Sequence, residues 1–164
     1  MAAYSTSTGA CTVGESLSRE EVLALVPQQE PFRFIDEILE LDAEHIVARY
    51  TFSPGADFFR GHFPGNPITP GVILVETAAQ AAVVALGIYL YALQTSREDV
   101  GKLLTIFTDC NADFSGAVRP GDRVQTVGRV KFFRHKKLRA NFEMTLDDGS
   151  LVCSGELSGM GVPR

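Results

Sequence analysis

The chain has 164 residues, 45% of them hydrophobic, the size of one domain able to bury a core of its own. A formal net charge of -5 at pH 7 and a pI near 5.2 exclude a general polyanion binder, which needs a basic face, so nucleic acid is not an expected partner. Three cysteines, Cys11, Cys110 and Cys153, form neither a CxxC pair nor a set with histidine at ligand spacing, so no disulfide framework and no metal site is signalled, and a reducing cytoplasm is the expected setting.

Residues 1–16, MAAYSTSTGACTVGES, lack the charged start and apolar core of a secretory signal and carry too few arginines for a transit peptide. They read as a disordered tail before a single domain over 17–164. Ser18-Arg19-Glu20-Glu21 places a serine three residues before a glutamate, a capping box, and Val22, Leu23, Leu25 and Val26 give the short helix behind it an apolar side that Pro27 ends. Alternating apolar residues predict a strand from Phe32 to Leu39 and an antiparallel partner from His45 to Phe52, across an Asp42-Ala43-Glu44 turn. Between Ser53 and Pro70 four prolines and three glycines forbid a long helix or central strand and prescribe a rigid, irregular loop.

Val72 to Leu93 (VILVETAAQAAVVALGIYLYAL) has the length of a membrane span and is apolar on nearly every face, so it must be surrounded by lipid or by protein. Glu76 and Gln80, at i and i+4, share one face and would cost several kcal/mol in hydrocarbon, to order of magnitude, which favours a helix buried inside a sheet over a membrane segment. Ala78, Ala79, Ala81, Ala82 and Ala85 would let that sheet approach closely. Strand signals fill the remainder: Leu103 to Phe107, Asn111 to Phe114, Arg123 to Arg134, Leu138 to Leu146 and Leu151 to Ser158, with turns at Pro120-Gly121-Asp122 and Asp147-Asp148-Gly149. One long apolar helix among antiparallel strands predicts an α+β fold with the sheet wrapped around it.

The stretch Gly61 to Val72 joins a titratable imidazole, His62, to a stiff loop ending at a helix start. Gly71 and Val72 would present free backbone N–H groups at the positive end of that helix, suited to a partial negative charge on oxygen. Each polar residue also has a plainer reading: His62 as a hydrogen-bonded loop histidine, Glu76 as a structural hydrogen bond in a dimer interface. Together, base, oxyanion donors and carboxylic acid are what loss of water from a 3-hydroxyacyl thioester requires. His62 would remove the C2 proton, the amides steady the enolate, and Glu76 protonate the departing hydroxyl, with no metal or organic cofactor.

The string GHFPGNPITPGVILVETAAQ resembles the signature GHFPGxPxxPGVLxxExxAQ of the FabZ-type 3-hydroxyacyl-acyl carrier protein dehydratases, through His62, Pro70, Gly71, Glu76 and Gln80. Pro31-Phe32-Arg33-Phe34-Ile35-Asp36 is similar to that family's PFLLVD, and Phe114 with Val118-Arg119-Pro120-Gly121-Asp122 to its FxxxVxPGD turn. The resemblance implies a hot-dog fold and a homodimer, often a trimer of dimers, with each site taking His from one subunit and Glu from the other and an acyl tunnel between subunits. Phe63 and Gln80 join Gly71 and Val72 as expected substrate-binding residues. Two departures stand out: Gln28 where members carry histidine, and Arg134-His135-Lys136-Lys137 where they carry a hairpin glycine.

The basic cluster around that hairpin, with Arg134, Lys136, Lys137 and Arg139 as docking residues, would steer an acidic acyl carrier protein, though an ordinary solvated hairpin has the same composition. Three other readings stay open. A hot-dog thioesterase would direct water at the thioester; a dehydratase-isomerase resembles a sister branch with Asp in place of Glu76; a non-catalytic subunit of a heteromeric dehydratase would bind carrier without turnover. Fatty acid, polyene and polyketide synthesis are alike compatible with the residues.

Overall fold

A computed structural model describes Gly14 and residues 16–164; most of the expected N-terminal tail, Cys11 included, lies outside the described residues. The N-terminal helix, Arg19–Leu25, carries the complete capping box: the Ser18 hydroxyl accepts from the Glu21 N–H, and the Glu21 carboxylate accepts from the Ser18 N–H.

Strands β1 (Glu37–Leu41), β2 (His45–Thr51), β3 (Leu103–Phe114), β4 (Arg123–Arg134), β5 (Lys137–Leu146) and β6 (Leu151–Pro163) form one antiparallel sheet in the order β1-β2-β4-β5-β6-β3. Its concave face holds the central helix, Gly71–Ala92, which packs on β2, β4, β5 and β6, the hot-dog arrangement the sequence resemblance implies. The period-two pattern decides which face is inward: on β5, Leu138, Ala140, Phe142 and Met144 are buried while the residues between them face outward. Although long and apolar enough to cross a membrane, the helix is a core element, and Gln80–Ala85 at its middle is wholly buried. That stretch has π-helical hydrogen bonding between α-helical turns on either side.

Small residues bring helix and sheet together as their composition predicts. A Cβ on Gly128 of β4 would stand 2.6 Å from the Ala82 Cβ, and one on Gly159 of β6 would stand 2.5 Å from Val83 Cγ1, so backbone meets helix at both places with no room for a side chain.

The structure corrects four expectations. The strand expected from Phe32 begins only at Glu37, because Phe32 and Phe34 join an aromatic cluster with Tyr50 and Phe52 and their backbone is bonded to Gln80 rather than to a neighbouring strand. Leu103 to Phe107 and Asn111 to Phe114 are a single strand whose register shifts between Phe107 and Asp109. β6 runs past Ser158 to Pro163. Arg97–Gly101 is an additional helix, capped by Ser96, whose side chain accepts from the Asp99 N–H.

Candidate active site

The proline-rich loop opens with one helical turn, Phe58–Gly61, and His62 closes it, its N–H donating to Phe58 O at 2.9 Å. The imidazole Nδ1 lies 2.9 Å from the Ile68 carbonyl oxygen. A carbonyl only accepts, so Nδ1 carries the hydrogen in the neutral ring and Nε2 is left with its lone pair, the arrangement a base needs. Phe63 stacks on the imidazole with centroids 4.0 Å apart and is itself exposed.

The loop owes its shape to the turn after β3. Thr69 N–H donates to Val118 O at 2.7 Å, the Arg119 guanidinium donates to Asn66 Oδ1 at 3.1 Å, and the turn is closed by Asp122, whose carboxylate accepts from the Arg119 N–H at 2.7 Å. The two motifs distant in sequence thus form one substructure. At its end the central helix begins at Gly71, where a Cβ would come within 3.2 Å of the Phe114 ring. Among the described residues the N–H groups of Gly71 and Val72 donate to no backbone or side-chain acceptor.

Glu76, half-buried, lies one turn further in, and its Oε1 accepts a hydrogen bond from Gln80 Nε2 at 2.8 Å. Gln80 is fully buried; its Oε1 accepts from the Phe34 N–H at 2.7 Å and its Nε2 also donates to Phe32 O at 2.8 Å. Because a backbone N–H can only donate, Phe34 fixes which way the amide faces, and both Nε2 hydrogens are then committed. Both Gln80 Nε2 hydrogens are thus engaged within the chain, one of them on Glu76 Oε1.

Glu76 opens into a broad apolar concavity walled by Val72 and Val75 of the helix and by Phe107, Cys110 and Phe114 of β3. His62 is not among the residues that line that concavity. Sequence reasoning missed the β3 residues: Phe107, Cys110 and Phe114 are exposed within this chain, so no burial period marks them in the sequence. Among the described residues β3 pairs only with β6, which leaves its other edge open, and Leu104, Ile106, Phe107 and Phe114 along the strand, with Val72 nearby, are exposed.

The expected docking residues fare differently. Arg139 is bound by Asp109 at 2.9 Å and Glu156 at 3.1 Å, and Lys131 pairs with Glu156, so part of the basic cluster is neutralised within the sheet. Lys136 sits over the Tyr91 ring at 5.3 Å, while Arg134 and Lys137 make no ion pair among the described residues. His135 and Lys136 both adopt positive φ, 50° and 62°, the left-handed region that favours glycine.

Residues 26–157 match the FabA-like domain family. The 3-hydroxyacyl-[acyl-carrier-protein] dehydratase FabZ of Chloroflexus aggregans is 36% identical over 142 residues, spanning 86% of this chain and 93% of the relative. That of Campylobacter curvus is 35% identical over 146 residues, spanning 88% and 97%. Among solved structures the dehydratase heterocomplex ApeI:P of Xenorhabdus doucetiae superposes with a TM-score of 0.68 at 14% identity, covering 87% of this chain and 91% of that one. Thioesterase HI1161 of Haemophilus influenzae gives 0.64 at 16% identity, covering 92% and 94%. At such identities these two establish the fold alone, and their different activities show that the fold does not choose the reaction.

Proposed function

This chain belongs to the FabA-like family as a FabZ-type 3-hydroxyacyl-acyl carrier protein dehydratase of fatty acid synthesis, and we propose that His62 of one subunit and Glu76 of its partner carry out the reaction. The substrate is a 3-hydroxyacyl chain held as a thioester on acyl carrier protein. His62 Nε2 takes the proton from C2, and the C–H electron pair moves toward the thioester carbonyl, whose oxygen is met by the N–H groups of Gly71 and Val72. The pair then returns to form the C2–C3 double bond as the C3 hydroxyl departs with a proton from Glu76 Oε2, releasing water. The carboxylate left behind recovers a proton from the histidine side to close the cycle.

The observation that carries this assignment is the His62–Ile68 hydrogen bond, which in the neutral ring places the lone pair on Nε2 and holds it from a stiff loop. Sharing of the site is supported by the placement of His62 outside the Glu76 concavity and by the open, apolar edge of β3 beside it, which suits pairing with β3 of a second copy. A homodimer is the proposed unit, and a trimer of dimers the larger assembly that such edges permit. Arg134 and Lys137 are the proposed carrier contacts, since among the described residues they have no ion-pair partner, with Lys136 beside them; Arg139 shapes the surface through its ion pairs. The cytoplasm is the proposed location, and Gln28 and the hairpin are where a polyene or polyketide route would differ from primary synthesis.

The test is the mass of a 3-hydroxyacyl-acyl carrier protein after incubation with the purified chain and with His62→Ala. Loss of one water from the intact acyl carrier with the unmodified chain alone establishes reaction and base together. Release of free acid means a thioesterase, and carrier binding without mass change means a subunit that needs a different partner.

A further inference from the structure

The loop that carries His62 is a nearly closed ring of its own bonds. Ile68 holds the histidine twice, its N–H donating to His62 O at 2.9 Å and its carbonyl accepting from the imidazole at 2.9 Å. Across the ring the Asn66 N–H donates to Phe63 O at 3.0 Å, and Phe63 lies against the imidazole. Gly65, with φ 79°, lets the chain reverse between Phe63 and Asn66. All of these bonds join the loop to itself, so none fixes its tip, residues 63–67, against the rest of the protein. Among the described residues one hydrogen bond does, from the Arg119 guanidinium to Asn66 Oδ1 at 3.1 Å.

Arg119 reaches out from a fixed platform. Its N–H donates to Asp122 Oδ2 at 2.7 Å, and its carbonyl accepts from the Asp122 N–H at 3.1 Å. The same turn is fastened to the residue after β2, where Phe52 O accepts from the Gly121 N–H at 2.8 Å and the Phe52 N–H donates to Asp122 O at 2.9 Å. Phe52 and Val118 are fully buried. The Arg119 side chain itself is exposed, has no ion-pair partner among the described residues, and has Asn66 as its one hydrogen-bond partner there. Both residues occupy positions that the strings GHFPGxP and FxxxVxPGD leave open, so the contact belongs to this chain and not to the motif as such.

We propose that Arg119 is a positioning residue for the base: by tethering Asn66 it holds Phe63 against the imidazole and keeps Nδ1–H on the Ile68 carbonyl, so that Nε2 presents its lone pair in one direction. The inference rests on the dehydratase reading and adds a residue to it. A misplacement of about 1 Å in a reacting group costs up to about 10²-fold in rate, and loss of one tether from an otherwise stiff loop is expected to cost about tenfold.

The experiment compares the full-length protein with Arg119→Ala, Asn66→Ala, the double variant and Arg119→Lys in the dehydration of a 3-hydroxyacyl-acyl carrier protein. Each single alanine variant should lower kcat about tenfold with KM within about twofold of the parent, and should melt within about 2 °C of it, since exposed side chains contribute little to stability. The double variant should be no slower than either single one, because both remove the same bond, and Arg119→Lys, which keeps a donor, should recover most of the loss. Additive losses, or an unchanged kcat in either single variant, overturn the proposal. A rise in KM at low salt with kcat intact, the mark of an arginine that attracts an acidic carrier, overturns it too. Heteronuclear NMR of the three histidine side chains reads the ring without turnover. Neutral His62 should carry its hydrogen on Nδ1 alone in the parent and exchange it between the two nitrogens in Arg119→Ala. Retention of the single Nδ1–H form in Arg119→Ala overturns the tether even if dehydration is observed. Loss of that form in a protein whose parent turns over no substrate would instead leave the tether standing and remove the dehydratase reading.

Discussion

The side-chain amide of Gln80 donates to Glu76 at 2.8 Å while its own oxygen accepts from the Phe34 backbone at 2.7 Å, so the carboxylate is aimed by a group that is itself held from a different part of the chain. Replacing Gln80 with leucine keeps the volume and removes all three bonds. It leaves the buried Phe34 N–H without its partner, at about 1–3 kcal/mol. The expected result is a lower melting temperature and a kcat reduced about 10- to 100-fold with KM little changed, because a misdirected acid weakens the chemical step more than binding. A rise in KM with kcat intact would assign Gln80 to substrate contact after all.

Glu76→Gln retains shape and the ability to meet Gln80 but cannot deliver a proton, and His62→Ala removes the base. Each should lower kcat by about 10²–10⁴ with melting temperature and oligomeric state as in the parent. Circular dichroism and light scattering provide the control: a Glu76→Gln protein that unfolds or dissociates would mark the residue as structural.

Sharing of the site makes a quantitative claim. If the two inactive variants are co-expressed and assort at random, half the dimers are mixed and each mixed dimer owns one complete site, so about a quarter of parental activity returns. A site contained in one chain would recover nothing.

Gly128→Ala tests the contact between helix and sheet. Its new methyl would lie 2.6 Å from the Ala82 Cβ and 2.8 Å from the Ala82 Cα, which is backbone and cannot swing aside. Overpacking of this kind costs about 1–3 kcal/mol, read as a lower denaturation midpoint in urea without change in slope.

His45 bonds Glu40 through Nε2 at 3.0 Å and faces Asp42 through Nδ1 at 2.9 Å, and the hydrogen bond to Glu40, aided by the Asp42 charge, raises its pKa above the ordinary value of 6.5. A raised folded value means the protonated ring stabilises the fold fully below the unfolded pKa, and the contribution disappears as pH rises through the folded one. His45→Gln should therefore be less stable than the parent near about pH 6 and indistinguishable from it near about pH 9. A deficit that persists at the higher pH would mean that packing of the ring, and not its charge, matters.

Much of the fold was legible because burial on one face writes a period into the sequence: β4, β5 and the central helix lie where alternation and the unbroken apolar run put them. The segment from Phe32 to Ile35 misled for a physical reason, since its apolar alternation serves an aromatic cluster and not a ladder. His62 and Glu76 were legible as a motif, but the β3 residues that wall the concavity at Glu76 were not, because spacing says nothing of which surface each side chain meets. Nor could the contacts of Gln80 be read, as two of its partners are backbone groups 46 and 48 residues away, and backbone groups carry no identity in the sequence.

The position of β3 imposes a schedule on synthesis. Among the described residues its sole partner in the sheet is β6, whose register runs from Leu103 against Pro163 to Phe114 against Cys153, so some forty residues must follow β3 from the ribosome before that pairing can begin. Until then a twelve-residue strand bearing Ile106, Phe107 and Phe114 has both edges unsatisfied. Ribosome stalling anywhere between β3 and β6 would release a chain primed to join whichever strand it meets first, so the nascent protein's need for chaperone cover is concentrated in that interval.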